Sequence, residues 1–184
     1  NKNIDNLYLD SNSIIYDSMR LLEFNGNNYK YEKQLINIIC NKIKEYITLV
    51  QPSNRVIIAF DGVAPLAKLE QQRIRRYKSM IEQKILNHKN SWDKRAITPG
   101  TSFMNNLNNE VYRFFSENTR ISLGVNEIIV SGSNIKGEGE HKLFQYIRNN
   151  KSSHKHQTTL IYGLDADLIM LALNHLPVSI YIFL

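Results

Sequence analysis

The stretch Arg55-Val-Ile-Ile-Ala-Phe60 is continuously apolar after its first residue and runs straight into Asp61-Gly62. A short apolar run closed by a turn signal reads as a strand covered on both faces, whereas a strand with one wet face would alternate apolar and polar residues. Covering both faces requires helices above and below the sheet, so the chain around this strand has to supply them.

The same unit recurs along the chain. Asn6-Leu-Tyr-Leu-Asp10 predicts a strand, followed by a helix over Ser11 to Leu22. Glu32 to Val50 reads as a helix with Leu35, Ile36, Ile39, Ile43, Ile47 and Val50 on one apolar face. A basic helix is expected from about Pro65 to His88. The loop Ile97 to Met104 then leads into a helix running to about Thr119, and Thr98-Pro-Gly-Thr101 reads as its start. Glu127 to Ser131 predicts a strand, and Gly137-Glu-Gly-Glu-His141 opens a helical segment to about Asn149. Lys151 to Gln157 reads as a polar loop, Thr158 to Gly163 as a strand, 167–174 as a helix and Val178 to Leu184 as a last strand. With no internal repeat, low-complexity tract or linker, the expectation is an α/β fold in one domain over residues 1–184. Its central sheet is mostly parallel, with helices on both faces.

Composition narrows the function classes. Of 184 residues, 42% are hydrophobic and 22% charged, enough apolar material for a core and too little charge imbalance for disorder. Cys40 is the single cysteine, which excludes a disulfide-stapled scaffold and a cysteine-rich zinc site; its place on an apolar helix face makes it a core residue. No run approaches the roughly 18 to 20 apolar residues of a membrane-spanning helix. The opening residues, NKNIDNLYLD, lack the pattern of a signal peptide. An intracellular setting is expected, cytoplasmic in the first instance and nuclear in the second.

The net charge of +6 is local. Residues 68–95 hold nine basic residues against three acidic ones, while the rest of the chain is balanced at fourteen of each. A confined positive surface attracts phosphates, where a scattered one only aids solubility; the competing reading is a solvated helix face. Within this window Lys68, Gln72, Arg75 and Arg76 stand at i, i+4, i+7 and i+8, which puts all four on one helix face. Guanidinium forks, an ammonium and an amide converging there suit a terminal phosphate of about −2 charge.

Opposite in sign, Asp10, Asp61 and Asp165 each follow an apolar strand, and ligands of open α/β sheets gather at the carboxyl ends of parallel strands. Glu138 and Glu140 stand between glycines after the strand at 127–131, and Asp167 lies two residues beyond Asp165. A single aspartate at a strand end is ordinarily a helix cap or turn former. Acids at consecutive strand ends of one sheet are different, because crowded carboxylates raise one another's pKa and destabilise the fold unless cations neutralise them. An all-oxygen donor set points to Mg²⁺ or Mn²⁺. A pair of such ions is suited to phosphodiester hydrolysis.

Five blocks of the chain together resemble one family. They are Leu7-Tyr-Leu-Asp-Ser-Asn-Ser-Ile-Ile-Tyr16, Phe60 to Arg76 (FDGVAPLAKLEQQRIRR), Ile97-Thr-Pro-Gly-Thr-Ser-Phe-Met104, Gly137-Glu-Gly-Glu-His-Lys142 and Gly163-Leu-Asp-Ala-Asp-Leu-Ile-Met-Leu171. In this order they resemble the amino-terminal nuclease region of the XRN 5'→3' exoribonucleases. The resemblance implies a PIN-like, 5'-nuclease-like fold and a metal cluster of Asp10, Asp61, Glu138, Glu140, Asp165 and Asp167. It implies a pocket of Lys68, Gln72, Arg75 and Arg76 for the 5'-monophosphate of single-stranded RNA, which the family degrades one nucleoside 5'-monophosphate at a time. Tyr16 stands where the family usually carries a base-stacking histidine, and tyrosine also stacks, at about 1 to 3 kcal/mol per base. Leu66 replaces a commonly basic residue. The resemblance further implies that a last metal-binding aspartate and a second region enclosing the substrate lie outside these residues. Two alternatives accompany the exoribonuclease reading: a weakly active or inactive module that binds RNA 5' ends, and a DNA 5' nuclease of the flap type.

Other residues carry blander expectations. His141 reads as a capping or packing residue at a helix start, His154 and His156 as parts of a solvated loop, and Trp92 as packing.

Overall fold

A computed structural model describes residues 3–85 and 92–183, and of helix α3 the side chains of residues 71, 72, 75, 76, 79, 80 and 82–85 lie outside the described part. Among the described residues, five strands form one sheet: β1 (Asn6–Asp10), β2 (Arg55–Ala59), β3 (Glu127–Ser131), β4 (Thr158–Tyr162) and β5 (Ser179–Phe183). Their order is β3-β2-β1-β4-β5 and each neighbouring pair is parallel. Parallel neighbours need crossovers, which the helices provide: α1 (Asn12–Met19), α2 (Asn28–Val50), α3 (Leu66–Ile85), α4 (Ser102–Phe114), α5 (Glu117–Ser122), α6 (Gly139–Asn149), α7 (Lys151–His154) and α8 (Asp167–Leu173).

Strand alternation divides the core into two layers. Leu7, Leu9, Val56, Ile58 and Phe60 point to one face, where they meet Ile14 and Ile15 of α1, the apolar stripe of α2 and Phe103, Leu107 and Val111 of α4. Tyr8, Ile57, Ala59 and Ile161 point to the other, against Leu143, Phe144 and Ile147 of α6 and Leu168 of α8. Both faces of the central strands are thus covered, as the unbroken apolar run of β2 requires. Each buried isoleucine or leucine in these layers contributes roughly 2 kcal/mol over leaving it in water. Cys40 is fully buried, and Trp92 packs between Tyr31 and Phe103 while its indole N–H donates to Glu32.

Local signals explain where the helices begin and end. The helix expected from Glu32 starts earlier, at Asn28, because the Asn27 side chain caps it by accepting from the Lys30 N–H. Thr101 caps α4 in the same way through the Met104 N–H. The helix expected to run on to Thr119 breaks at Phe115, whose ring is buried in the core, and restarts from an extended Ser116. No helix of the described residues is long and apolar enough to cross a membrane.

One expectation is corrected outright. His154 does not lie in a solvated loop: residues 151–154 form the short α7, and His154 is fully buried. The reason is Tyr8, whose hydroxyl sits inside the α6 layer and pairs with His154 Nε2 at 2.7 Å. A buried hydroxyl needs a partner, and the return into β4 brings this imidazole to it. Burial pushes the His154 pKa down, so the ring is neutral, with Nδ1 against the Asn150 carbonyl at 2.8 Å.

Candidate functional site

The register sets the strand ends side by side. Asp10 pairs with Ala59, Leu9 with Tyr162 and Ala59 with Ser131, so β1, β2, β3 and β4 all finish on one edge of the sheet. Asp10 is the last residue of β1, Asp61 lies two residues past β2, Glu138 immediately precedes α6, and Glu140 is in its first turn.

Asp10, Asp61 and Glu140 come together there, each offering a carboxylate oxygen within 4.8 Å of the others; Glu138, Glu140 and His141 form a second such group that shares Glu140. Asp10 and Glu140 are buried, with 8% and 7% of their surface exposed. Burial, reinforced by the charges of Asp61 and Glu140, pushes the Asp10 pKa up to about 8. The Glu140 pKa is also raised, first by burial and then by Asp61 and Glu138. Asp10 Oδ1 is buried and has no hydrogen-bond partner among the described residues. Asp165 and Asp167 stand at the same edge but are exposed and outside both groups; the Asp165 carboxylate accepts from the Asp167 N–H at 3.0 Å. Asp165 nevertheless lies near enough to add to the upward shift of Asp10.

The third carboxylate of the first group is held firmly. Asp61 Oδ1 accepts from the Gly139 N–H at 2.7 Å, and Asp61 Oδ2 accepts from Asn12 Nδ2 at 2.5 Å. The Asn12 side-chain oxygen in turn accepts from the Asp61 N–H at 3.1 Å. A Cβ at Gly139 would force the Asp10 carboxylate to shift. The turn after β2 is fixed against the same loop: Gly62 donates to the Gly137 carbonyl at 2.8 Å, and Gly137 donates to that of Val63 at 3.0 Å.

Among the described residues, two lysine side chains reach the acidic edge or the strand ends behind it. Lys68, in the first turn of α3, donates to Glu138 Oε2 at 2.7 Å, and this bond raises its pKa. The expected phosphate residue and an expected metal ligand are therefore neighbours. Gln72, Arg75 and Arg76 follow Lys68 in α3, and their side chains lie outside the described part. Lys142, on α6, donates to the carbonyls of Phe60 at 2.7 Å and Gly132 at 2.9 Å; burial pulls its pKa down to about 8 against the attraction of Asp61. Tyr16 is 44% exposed on α1 and one turn beyond Asn12, hence on the helix face nearest the site. His141 is exposed, with Nε2 at 3.6 Å from Glu138 Oε2.

Sequence reasoning did not single out Asn12 and Lys142. The available signals were an amide two residues past Asp10, short enough to reach the adjacent strand end, and a lysine inside the Gly137–Lys142 block.

The donor set fits a hard divalent cation. Among the described residues it is made of carboxylate oxygens with at most a histidine at the rim, one of its buried oxygens has no donor, and it has no sulfur.

Comparison with known proteins follows the same line. The family described as XRN 5'-3' exonuclease N-terminus matches residues 1–183. The chain is 35% identical to 5'-3' exoribonuclease 1 of Schizosaccharomyces pombe over 94% of its own length and 14% of that protein's. It is 33% identical to 5'-3' exoribonuclease 2 of Kluyveromyces lactis, covering 96% of this chain and 20% of the relative. Against 5'-3' exoribonuclease 1 of Saccharomyces cerevisiae the identity is 35%, over 92% of this chain and 12% of the relative. The chain thus spans a fifth or less of these relatives. With the five-stranded parallel sheet and its acidic edge, the match over nearly the whole chain makes it a member of the XRN 5'-3' exonuclease amino-terminal family.

Proposed function

We propose that residues 1–184 are part of a nuclease domain that degrades single-stranded RNA from a 5'-monophosphate end, releasing nucleoside 5'-monophosphates, and that it acts with divalent cations inside the cell. The observation that carries this reading is the meeting of Asp10, Asp61 and Glu140 at the carboxyl edge of a parallel sheet, with a buried Asp10 oxygen that has no donor among the described residues. Mg²⁺ or Mn²⁺, as two ions, suits these oxygens, with Glu138, Asp165 and Asp167 extending the ligand set. Bound there, the ions would lower the pKa of an attacking water and stabilise the leaving oxygen.

The chain's own groups do the rest. Asp61 is already oriented by Asn12 and by the Gly139 N–H, so cation binding requires little rearrangement of it. Asp10 gives up its proton when a cation binds, which ties affinity to pH. Lys68, Gln72, Arg75 and Arg76 serve the 5'-phosphate, and a cap or triphosphate would be too bulky for such a pocket. The Lys68–Glu138 bond supports this reading by setting the first residue of that pocket beside the acidic cluster. Tyr16, exposed on the near face of α1, stacks on the terminal base.

The test is 3'-labelled single-stranded RNA bearing either a 5'-monophosphate or a 5'-hydroxyl, incubated with the protein in Mg²⁺ or EDTA, alongside single-stranded DNA. Loss of the monophosphorylated RNA alone, only with Mg²⁺ and not with Asp165→Asn, is the expected result. RNA bound but intact in every lane would make the chain a 5'-end-binding module, and equal loss of DNA would make it a DNA 5' nuclease.

A further inference from the structure

The peptide unit between Phe60 and Asp61 is gripped on both edges. Its carbonyl oxygen accepts from Lys142 Nζ at 2.7 Å, and its N–H donates to Asn12 Oδ1 at 3.1 Å. A peptide group is planar and stiff, so holding its oxygen and its hydrogen fixes the plane from which the Asp61 Cα departs. The grip is needed here because the sheet no longer provides one. The Phe60 N–H still reaches Ser131 across to β3, but β2 ends at Ala59, and the carbonyl of Phe60 faces a lysine instead of a strand. The same ammonium takes the Gly132 carbonyl, one residue past β3. Lys142 belongs to α6, whose first turn carries Glu140 and whose Gly139 N–H binds Asp61. One half-buried side chain therefore ties the ends of two strands to the helix that supplies the opposing carboxylate.

We propose that Lys142 is a positioning residue. Acting through the Phe60–Asp61 peptide and together with Asn12, it holds Asp61 at the separation from Asp10 and Glu140 that a divalent cation requires. The inference rests on the reading of this cluster as a cation site. It separates from two simpler roles by the sign of an effect. A lysine beside carboxylates repels cations, so if Lys142 acted only through its charge, removing it would strengthen cation binding. If it served only the fold, a variant that folds normally would bind cations as the parent does.

The experiment is Mn²⁺ binding to the whole chain, followed by the electron paramagnetic resonance of free Mn²⁺ without RNA. Folding is checked by near- and far-ultraviolet circular dichroism. Lys142→Met is expected to weaken Mn²⁺ binding by about 10- to 100-fold, as for other residues that orient ligands from behind, despite the loss of a positive charge. Lys142→Gln keeps a donor for one carbonyl, so it is the variant to use if Lys142→Met does not fold, and its loss should be smaller. Asn12→Ala, on the other edge of the same peptide, should weaken binding in the same direction. Combined with Lys142→Gln, it should cost less than the product of the two separate losses, because both act on one group. Unchanged or tighter Mn²⁺ binding in a folded Lys142 variant would overturn the inference alone. A parent chain that binds no Mn²⁺ would overturn both it and the cation reading of the cluster.

Discussion

At the amino end of β1, Asn6 donates to Gln157 Oε1 and Thr159 Oγ1 and accepts from Asn54 Nδ2; at the carboxyl end of the same strand, Asp10 keeps a buried oxygen with no donor among the described residues. Asp5, just before the strand, likewise accepts from the Thr158 N–H at 2.7 Å and from Ser53 at 3.3 Å. One strand end is a closed network of polar groups satisfied by each other. The other gathers carboxylates that push each other's pKa values upward, and pins only some of them. A buried polar group serves stability when its partners are complete, and an incomplete set costs stability unless a ligand completes it. The difference separates the part of this sheet edge that holds the fold from the part that acts.

Exchanging the roles of the two ends is the sharpest way to break this comparison. Asp10→Asn should reduce Mg²⁺-dependent RNA cleavage by at least about a thousandfold, since a neutral amide neither attracts the cation nor completes its oxygen set. Without metal, the same variant should be more stable than the parent at pH 8, on the order of 2 kcal/mol, because it removes a buried charge crowded by Asp61 and Glu140. Urea denaturation in EDTA reads this directly, and a destabilised Asp10→Asn would contradict the strained-carboxylate account.

Asn6→Ala should do the reverse. It leaves Asn54, Gln157 and Thr159 short of a partner and should cost about 2 kcal/mol of stability. Cleavage per folded molecule should stay near that of the parent, measured at a temperature where both chains are folded.

The smallest effect is a pH dependence. The Asp10 pKa is raised from the ordinary 3.8 to about 8, so between those values the folded chain holds a proton that the unfolded chain has released. Stability from this group is therefore complete below about pH 4 and is lost as pH rises towards about 8. The stability advantage of Asp10→Asn in EDTA should accordingly be small at pH 5 and grow towards pH 8. Mg²⁺ should stabilise the parent more at pH 8 than at pH 5. A difference between variant and parent that does not change with pH would place the Asp10 titration elsewhere.

Much of this architecture is legible residue by residue. The apolar run of β2 demands cover on both faces, and the acids at the ends of β1, β2 and β4 follow from strand ends that a reader can mark by eye. The start of α2 was legible too, in Asn27, although the apolar face alone suggests a later beginning. His154 was not, because its environment is set by Tyr8, 146 positions away. A polar, lysine-flanked stretch gives no local sign that one of its imidazoles turns inward.

Local pattern carries the β/α alternation, the parallel sheet and the placing of acids along one edge, because periodicity and strand termination depend on neighbours in the chain. Tertiary structure alone brings Asp10, Asp61 and Glu140 together, sets Glu138 beside Glu140, and leaves Asp165 and Asp167 exposed at the same edge. It also assigns Asn12 to Asp61 across 49 positions and Lys142 to Phe60 across 82. Those contacts depend on strand order and register, which bring together groups that no periodicity links. Their energies depend on burial, which turns an ordinary carboxylate into one that holds its proton to about pH 8.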